Sequence, residues 1–280
     1  MKYQEKIAML EENNNIELAK GIMLSILKEF HKICVKHDLK YWLDSGTLLG
    51  AIRHNGFIPW DDDIDVCMPR DDYNKFLEIA PKVLPQNIIV QNYQTDNVYS
   101  FYYTKLRDAD NIIIAKDEIK DEVKYHQGIF IDIFPMDIVS NKKIKAHRYW
   151  RKIIGLAFIN RKYDKSLKNK IKYVLSGIVD FIGRERLKNI ILRQCHGIEN
   201  EYIVYGIELY SSLSTGRKFY IKKSKVLPLV KHLFEDEFFF IPNGYDIYLK
   251  KIYGEYMILP PEEKRVAPHS IEYRIITKRI

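Results

Sequence analysis

The chain has 280 residues, 46% of them apolar and 29% charged, with only 13 Gly and 10 Pro; it is long enough for one large domain or a core with an appended lobe, and its composition excludes disorder. Cys34, Cys67 and Cys195 stand far apart, which excludes zinc-ligand spacing and a disulfide framework and fits a reducing, cytoplasmic setting. The net charge of +8 is uneven: residues 141–197 hold sixteen Lys/Arg against three acids, an excess of thirteen, so the rest of the chain carries five net negative charges.

The first fifteen residues contain no apolar signal core, and no apolar window is long and uncharged enough to span a bilayer. Residues 16–38 predict a helix, because Ile22, Leu24, Ile26, Leu27, Phe30, Ile33 and Cys34 recur at near-helical spacing. A short strand over 41–43 follows, and Asp44-Ser45-Gly46 breaks it. Residues 47–53 predict a short helix, and His54-Asn55-Gly56 a turn. The next strand contains Asp63-Ile64-Asp65-Val66 and ends at Pro69, with a helix over 72–80 capped by Asp71 or Asp72. Segments 88–93, 99–106 and 111–115 alternate as strands, and Gly128–Pro135 is a buried strand containing one acid. Beyond 140 the pattern turns helical over 142–160, 166–182 and 184–196, the middle one with a stripe of Ile171, Val174, Leu175, Ile178, Val179 and Ile182. Mixed strand and helix return from 226 to 259. The expected organisation is a core over 1–140, a basic helical insertion or lobe over 141–200, and a C-terminal part over 201–280 that completes the core.

Four acids, Asp61, Asp62, Asp63 and Asp65, fall within five residues and are sheathed by Ile58, Trp60, Ile64 and Val66. The strand period puts Asp63 and Asp65 on one face, about 7 Å apart at the Cα level. Two carboxylates so placed repel each other unless a cation lies between them, so a divalent metal site is preferred over a solvated strand edge. Asp132 is a lone acid in an apolar strand, and a buried unpaired carboxylate costs several kcal/mol or is protonated. It requires either a share of that metal or a salt bridge to a core Arg or Lys. The turn Ser45-Gly46-Thr47 opens a helix, where free N–H groups suit a phosphate, although most such turns are ordinary caps. Lys105 and Arg107 share one side of a strand, fit either for phosphate oxygens or for a surface pair, and Arg53 with His54 has the same ambiguity. His269, near Arg265 in a polar tail, is a substrate candidate set against a plain surface residue.

The stretch from Trp42 to Arg53, the segment Ile58–Asp65, Lys105-Leu106-Arg107-Asp108, Ile131–Pro135 and the late Tyr253-Gly254-Glu255-Tyr256-Met257-Ile258-Leu259-Pro260-Pro261 together resemble the LicD family, over roughly residues 20–140 and 240–270. The resemblance implies an α+β, nucleotidyltransferase (DNA polymerase beta-like) mixed sheet flanked by helices, and a transferase that moves phosphocholine or a related alditol phosphate from CDP-choline or another CDP-linked donor. It implies Mg²⁺, or Mn²⁺ in its place, on Asp63, Asp65 and Asp132, which are also the catalytic residues. Ser45, Gly46, Thr47, Arg53, Lys105 and Arg107 are expected to contact nucleotide or phosphate, and Asp61, Asp62 and His269 the substrate. The expected acceptor is a lipid-linked cell-surface glycan precursor and not a nucleic acid. The basic segment 141–197 is either a solvated helical surface or a contact with the inner membrane leaflet. Two other activities remain open, a nucleotidyltransferase that releases pyrophosphate from CTP and a non-catalytic membrane or polyanion binder on the same fold.

Overall fold

A computed structural model describes residues 16–96, 99, 103–112, 125–158, 184–195, 201–206, 209, 219–265 and 276–277. The first helix, α1 (Ile16–Lys36), buries Ala19, Met23, Ile26, Leu27, Phe30, Ile33 and Cys34 along one stripe, the face its apolar spacing predicts. Strand β1 (Trp42–Leu43) leads into α2 (Ser45–His54), which ends at Asn55 in the left-handed region, φ 56°. Strand β2 (Asp65–Pro69) passes directly into α3 (Arg70–Val83). The acid strand therefore begins at Asp65, not at Asp63. Residues 61–64 form an irregular segment, so strand alternation does not fix where Asp63 points.

Strands β3 (Ile88–Gln91), β4 (Thr104–Ile112) and β5 (Gly128–Val139) build the centre of the sheet. The expected strands over 99–106 and 111–115 meet in β4, with a register irregularity between Arg107 and Ile112. At that irregularity the Asp108 carboxylate accepts the N–H groups of Asp110 and Asn111. Gly128 lies opposite, where any Cβ would collide with the Asp108 carbonyl, so this position requires glycine. Among the described residues the main sheet has eight strands, and β2 with β5 is its parallel pair.

After β5 come α4 (Ile144–Phe158) and α5 (Arg184–Cys195), then β6 (Tyr202–Tyr205) and β7 (Ile221–Lys222). The expected helix over 166–182, with its apolar stripe, lies outside the described residues. Val139, Ile191 and Val204 form a small second core with Ile144, Trp150 and Leu187. It is tied to the main core by a buried ion network. Arg70 donates from Nε and Nη2 to Asp137 Oδ1, both at 2.8 Å, and His147 Nε2 lies 2.7 Å from Asp137 Oδ2. Those partners hold the Asp137 carboxyl well below the usual carboxylate range, against the opposing effect of its own burial.

A hairpin of β8 (Leu229–Phe234) and β9 (Glu237–Pro242) precedes α6 (Tyr245–Tyr253), and β10 (Ile276–Thr277) pairs with β4. The hairpin turn pins the loop after α2. Glu235 donates its N–H to the Asn55 carbonyl, and its carboxylate accepts the Phe57 N–H at 2.8 Å. Lys20 Nζ of α1 donates to the Pro59 carbonyl at 2.9 Å. The loop that leads into the acids is therefore fixed from two sides. Among the described residues no helix is long and apolar enough to cross a membrane.

Candidate active site

Asp44 is fully buried at the N-cap of α2, yet its side chain makes no capping bond. Its carboxylate instead accepts the hydroxyls of Tyr205 and Tyr248, each at 2.7 Å, and of Ser45 at 3.1 Å. Trp42 Nε1 donates in turn to the Tyr248 oxygen at 3.2 Å. The Asp44 backbone N–H donates to the Asp65 carbonyl, and the Asp65 N–H donates to Thr47 Oγ1 at 2.8 Å. One buried carboxylate thus joins β6 and α6, from the C-terminal part, to the turn that holds Asp65.

Asp65 is paired in register with Asp132 across β2 and β5, Asp132 with Lys105 across β5 and β4, and Lys105 with Gln91 across β4 and β3. Neighbouring strands run about 4.8 Å apart, so four side chains form one row across the sheet. Lys105 Nζ donates to Asp132 Oδ1 at 2.5 Å, and both residues are buried. Burial, then Asp63, then Asp132 push the Asp65 carboxyl well above its ordinary value. Burial also raises Asp132, with Lys105 opposing, and burial lowers Lys105 against the pull of Asp132. Negative charge is crowded here at a cost that a cation would relieve.

Immediately before β2, the carboxylate oxygens of Asp61, Asp62 and Asp63 come within 4.8 Å of one another, the one such acid triplet among the described residues. All three are buried or nearly so. The Asp61 carboxylate packs against Gly46, where a Cβ would overlap it. An acid therefore occupies the α2 N-terminus, where negative charge is favourable. Ser45, Gly46 and Thr47, expected to cradle phosphate, are engaged with acids, namely Asp44, Asp61 and the Asp65 backbone respectively. Hard oxygen donors in this number fit Mg²⁺ or Mn²⁺.

The cations expected to meet phosphate are also committed internally. Arg107 is buried, donating from Nε to Gln91 and from Nη1 to the Gly128 carbonyl at 2.7 Å. Arg53, beside Asp61, donates to the Tyr256 carbonyl at 2.8 Å. His269 lies outside the described residues.

Sequence reasoning missed the tyrosines. Tyr253 is 40% exposed as a residue, but its hydroxyl lies in the field of Asp44, Asp65, Asp61 and Asp63, and burial with those charges raises its pKa well above the usual range. Its phenol therefore stays protonated and can donate. The Tyr103 hydroxyl is likewise raised, by burial and then by Asp132, and its ring stacks edge-on to Phe134 at 4.9 Å. Periodicity carries no sign of these contacts; the Tyr-Gly pair at 253–254 is the nearest signal. A cavity of about 940 Å³ lies by the α1 C-terminus and the β7–β8 connection, with apolar walls such as Leu39, Leu227 and Phe240. Lys40 in its lining precedes β1, whose antiparallel register puts that end beside the far end of β2 from Asp65. That cavity therefore lies away from the acid row.

The family model for the LicD/FKTN/FKRP nucleotidyltransferase domain matches residues 38–163. The lipopolysaccharide cholinephosphotransferase LicD of Haemophilus influenzae is 32% identical over 265 residues, covering 90% of this chain and 94% of that protein. Human ribitol 5-phosphate transferase FKRP is 50% identical over 34 residues, 12% of this chain and 7% of its own length. Mannosyltransferase regulator 4 of Saccharomyces cerevisiae is 26% identical over 113 residues, 39% of this chain and 9% of that protein. The family match runs past residue 140 into α4, whose His147 completes the Asp137 network.

Proposed function

Because the chain belongs to the LicD family, and so is a phosphotransferase, we propose that it moves phosphocholine, or a related alditol phosphate, from a CDP-linked donor to a hydroxyl of a cell-surface glycan precursor. CMP is the leaving group. The observation that carries this reading is the meeting of Asp63, Asp65 and Asp132 in one buried field of like charge, beside the α2 N-terminus. A nucleotidyltransferase core of the DNA polymerase beta type accounts for such acids on adjacent strands.

Asp63 and Asp65 would hold Mg²⁺, or Mn²⁺, with Asp132 next to them in the row. When bound, that ion offsets the charge of the donor diphosphate and of the departing CMP. The acceptor hydroxyl attacks the phosphorus that carries the choline or alditol, and the bond from that phosphorus to the CMP oxygen breaks, its electron pair leaving with CMP. Asp132 takes the hydroxyl proton in this scheme, although a carboxylate beside a metal ion is a weak base. Ser45 and Thr47 brace Asp44 and Asp65, so positioning contributes more than proton abstraction. Arg53 at the margin of the site and the acidic pair Asp61 and Asp62 are assigned to substrate. Tyr253 and Tyr103 supply aromatic faces for a quaternary ammonium, by cation–π contact.

The glycan acceptor is proposed to be lipid-linked, as a teichoic-acid, lipo-oligosaccharide or capsule precursor at the inner face of the plasma membrane. The basic segment 141–197 would meet the anionic leaflet there. Incubating the protein with CDP-choline or with CTP, with acceptor present, tests the reading. CMP from CDP-choline supports it, whereas pyrophosphate from CTP with no CMP from CDP-choline overturns it.

A further inference from the structure

We infer that Glu235, at the tip of the β8–β9 hairpin, is a positioning residue for Asp61, Asp62 and Asp63, acting through the Phe57 N–H. The inference rests on the phosphotransferase reading above, in which those acids serve the site. Pairing of β8 with β9 closes at Phe234 and Glu237, so the hairpin turn is the two residues Glu235 and Asp236. Glu235 has φ 56°, a left-handed conformation that Gly, Asn or Asp adopts more readily in so short a turn. A glutamate is kept there only where its surroundings over-determine the conformation. Both of its polar ends are used on one loop. Its N–H donates to the Asn55 carbonyl at 2.8 Å, and its carboxylate accepts the Phe57 N–H at 2.8 Å. The Phe234 ring beside it packs against that of Phe57, with centres 5.0 Å apart.

The loop has little slack elsewhere. Gly50 of α2 lies against the Gly56 carbonyl, where a Cβ would overlap it, and a Cβ on Gly56 would overlap the Glu235 carboxylate. Residues 55–57 are thus pressed between α2 and the hairpin tip. Lys20 Nζ holds the Pro59 carbonyl, and the Asp61 N–H donates to the Ile58 carbonyl at 2.9 Å. A single turn therefore runs from the held Phe57 to the first acid. Asp236, the other turn residue, pairs instead with Lys28 at 2.6 Å on the surface, an exposed contact of small effect. The hairpin turn itself requires no glutamate, whereas the acid loop uses both its N–H and its carboxylate.

Glu235→Gly separates a turn role from a positioning role. Glycine suits the turn, so relieved strain offsets the lost bond and the melting temperature should hold within about 4 °C. Amide hydrogen exchange between Phe57 and Asp63 should nevertheless quicken about tenfold, and CMP release from CDP-choline should fall about tenfold. Glu235→Gln keeps an oxygen for the Phe57 N–H and should return both readings to within about twofold of wild type. Asp236→Ala, which alters the same turn without touching the loop, should change neither. Wild-type exchange and release in Glu235→Gly overturn the inference, as does a Glu235→Gln protein as slow as Glu235→Gly. A Glu235→Gly protein that melts well below that range makes the residue structural, and an equal loss of CMP release in Asp236→Ala makes the whole hairpin responsible; either overturns it as well. A wild type that releases no CMP refutes the phosphotransferase reading alone, and the exchange rates then decide the positioning on the same terms.

Discussion

Replacing Asp44 by Asn keeps the size of a fully buried side chain and removes its charge. Three hydroxyls now converge on that carboxylate, two of them at 2.7 Å. A hydrogen bond to a charged acceptor contributes about 1.5–3 kcal/mol. The amide retains one acceptor oxygen and turns an NH₂ toward a phenol. The Tyr248 oxygen already accepts from Trp42 Nε1, so it adapts poorly. Losing the charge assistance and one good bond sums to roughly 3 kcal/mol. At about 2–4 °C per kcal/mol for chains near this size, the melting temperature should fall by roughly 6–12 °C in a calorimetric scan. Tyr205→Phe and Tyr248→Phe should each cost less than Asp44→Asn, and combining either with Asp44→Asn should cost less than the sum. An Asp44→Asn protein that melts within 2 °C of the wild type would refute this account of how the C-terminal part is joined to the site.

Gly46→Ala puts a Cβ well inside 3.0 Å of Asp61 Oδ2. Asp61 must shift by about an ångström, which should lower CMP release by about 10²-fold; the activity of Gly46→Ala staying within twofold of wild type counts against a role for Asp61. Arg70→Met leaves the buried Asp137 charge with His147 alone and should destabilise the protein by about 3 kcal/mol at neutral pH, as read by urea unfolding. Asp137 has a depressed pKa, so its contribution is present above its ordinary value of 3.8 and is lost as pH falls through its folded value; the Arg70→Met defect should therefore shrink in acid. Asp65 behaves in the opposite sense. Its pKa is raised, so the metal-free protein is favoured below 3.8 and loses that stability as pH rises through the folded value. Against metal-free Asp65→Asn, the metal-free wild type should lose relative stability from pH 4 upward, and a flat difference in melting temperature would contradict the charge crowding.

Local periodicity made much of the frame legible. The stripe of α1, the short α2 and the buried run of β5 all follow from residue spacing. What one strand cannot reveal is its neighbour. Asp132 had two open explanations, a shared cation or a core lysine, and strand register alone shows that Lys105 is its partner across β4. The clamp on Asp44 draws on Tyr205 and Tyr248, more than 160 residues away, and isolated tyrosines carry no pattern. The expected break between two strands near 107–111 is a bulge inside β4, because Asp108 and Gly128 accommodate one another. The alternation of Asp63-Ile64-Asp65 predicts a strand from Asp63, whereas pairing with β5 begins at Asp65. The motifs shared with the LicD family indicate the kind of chemistry, and the spacing of the acids indicates a metal.

The most direct test follows CMP release from CDP-choline, with glycan acceptor present, in wild type and Asp65→Asn, each with Mg²⁺ and with a chelator. Carboxylates that act by holding a divalent ion predict CMP from the wild type with Mg²⁺, and none from the chelated wild type or from Asp65→Asn under either condition. Undiminished CMP release by Asp65→Asn, or by the wild type stripped of divalent ions, would contradict it.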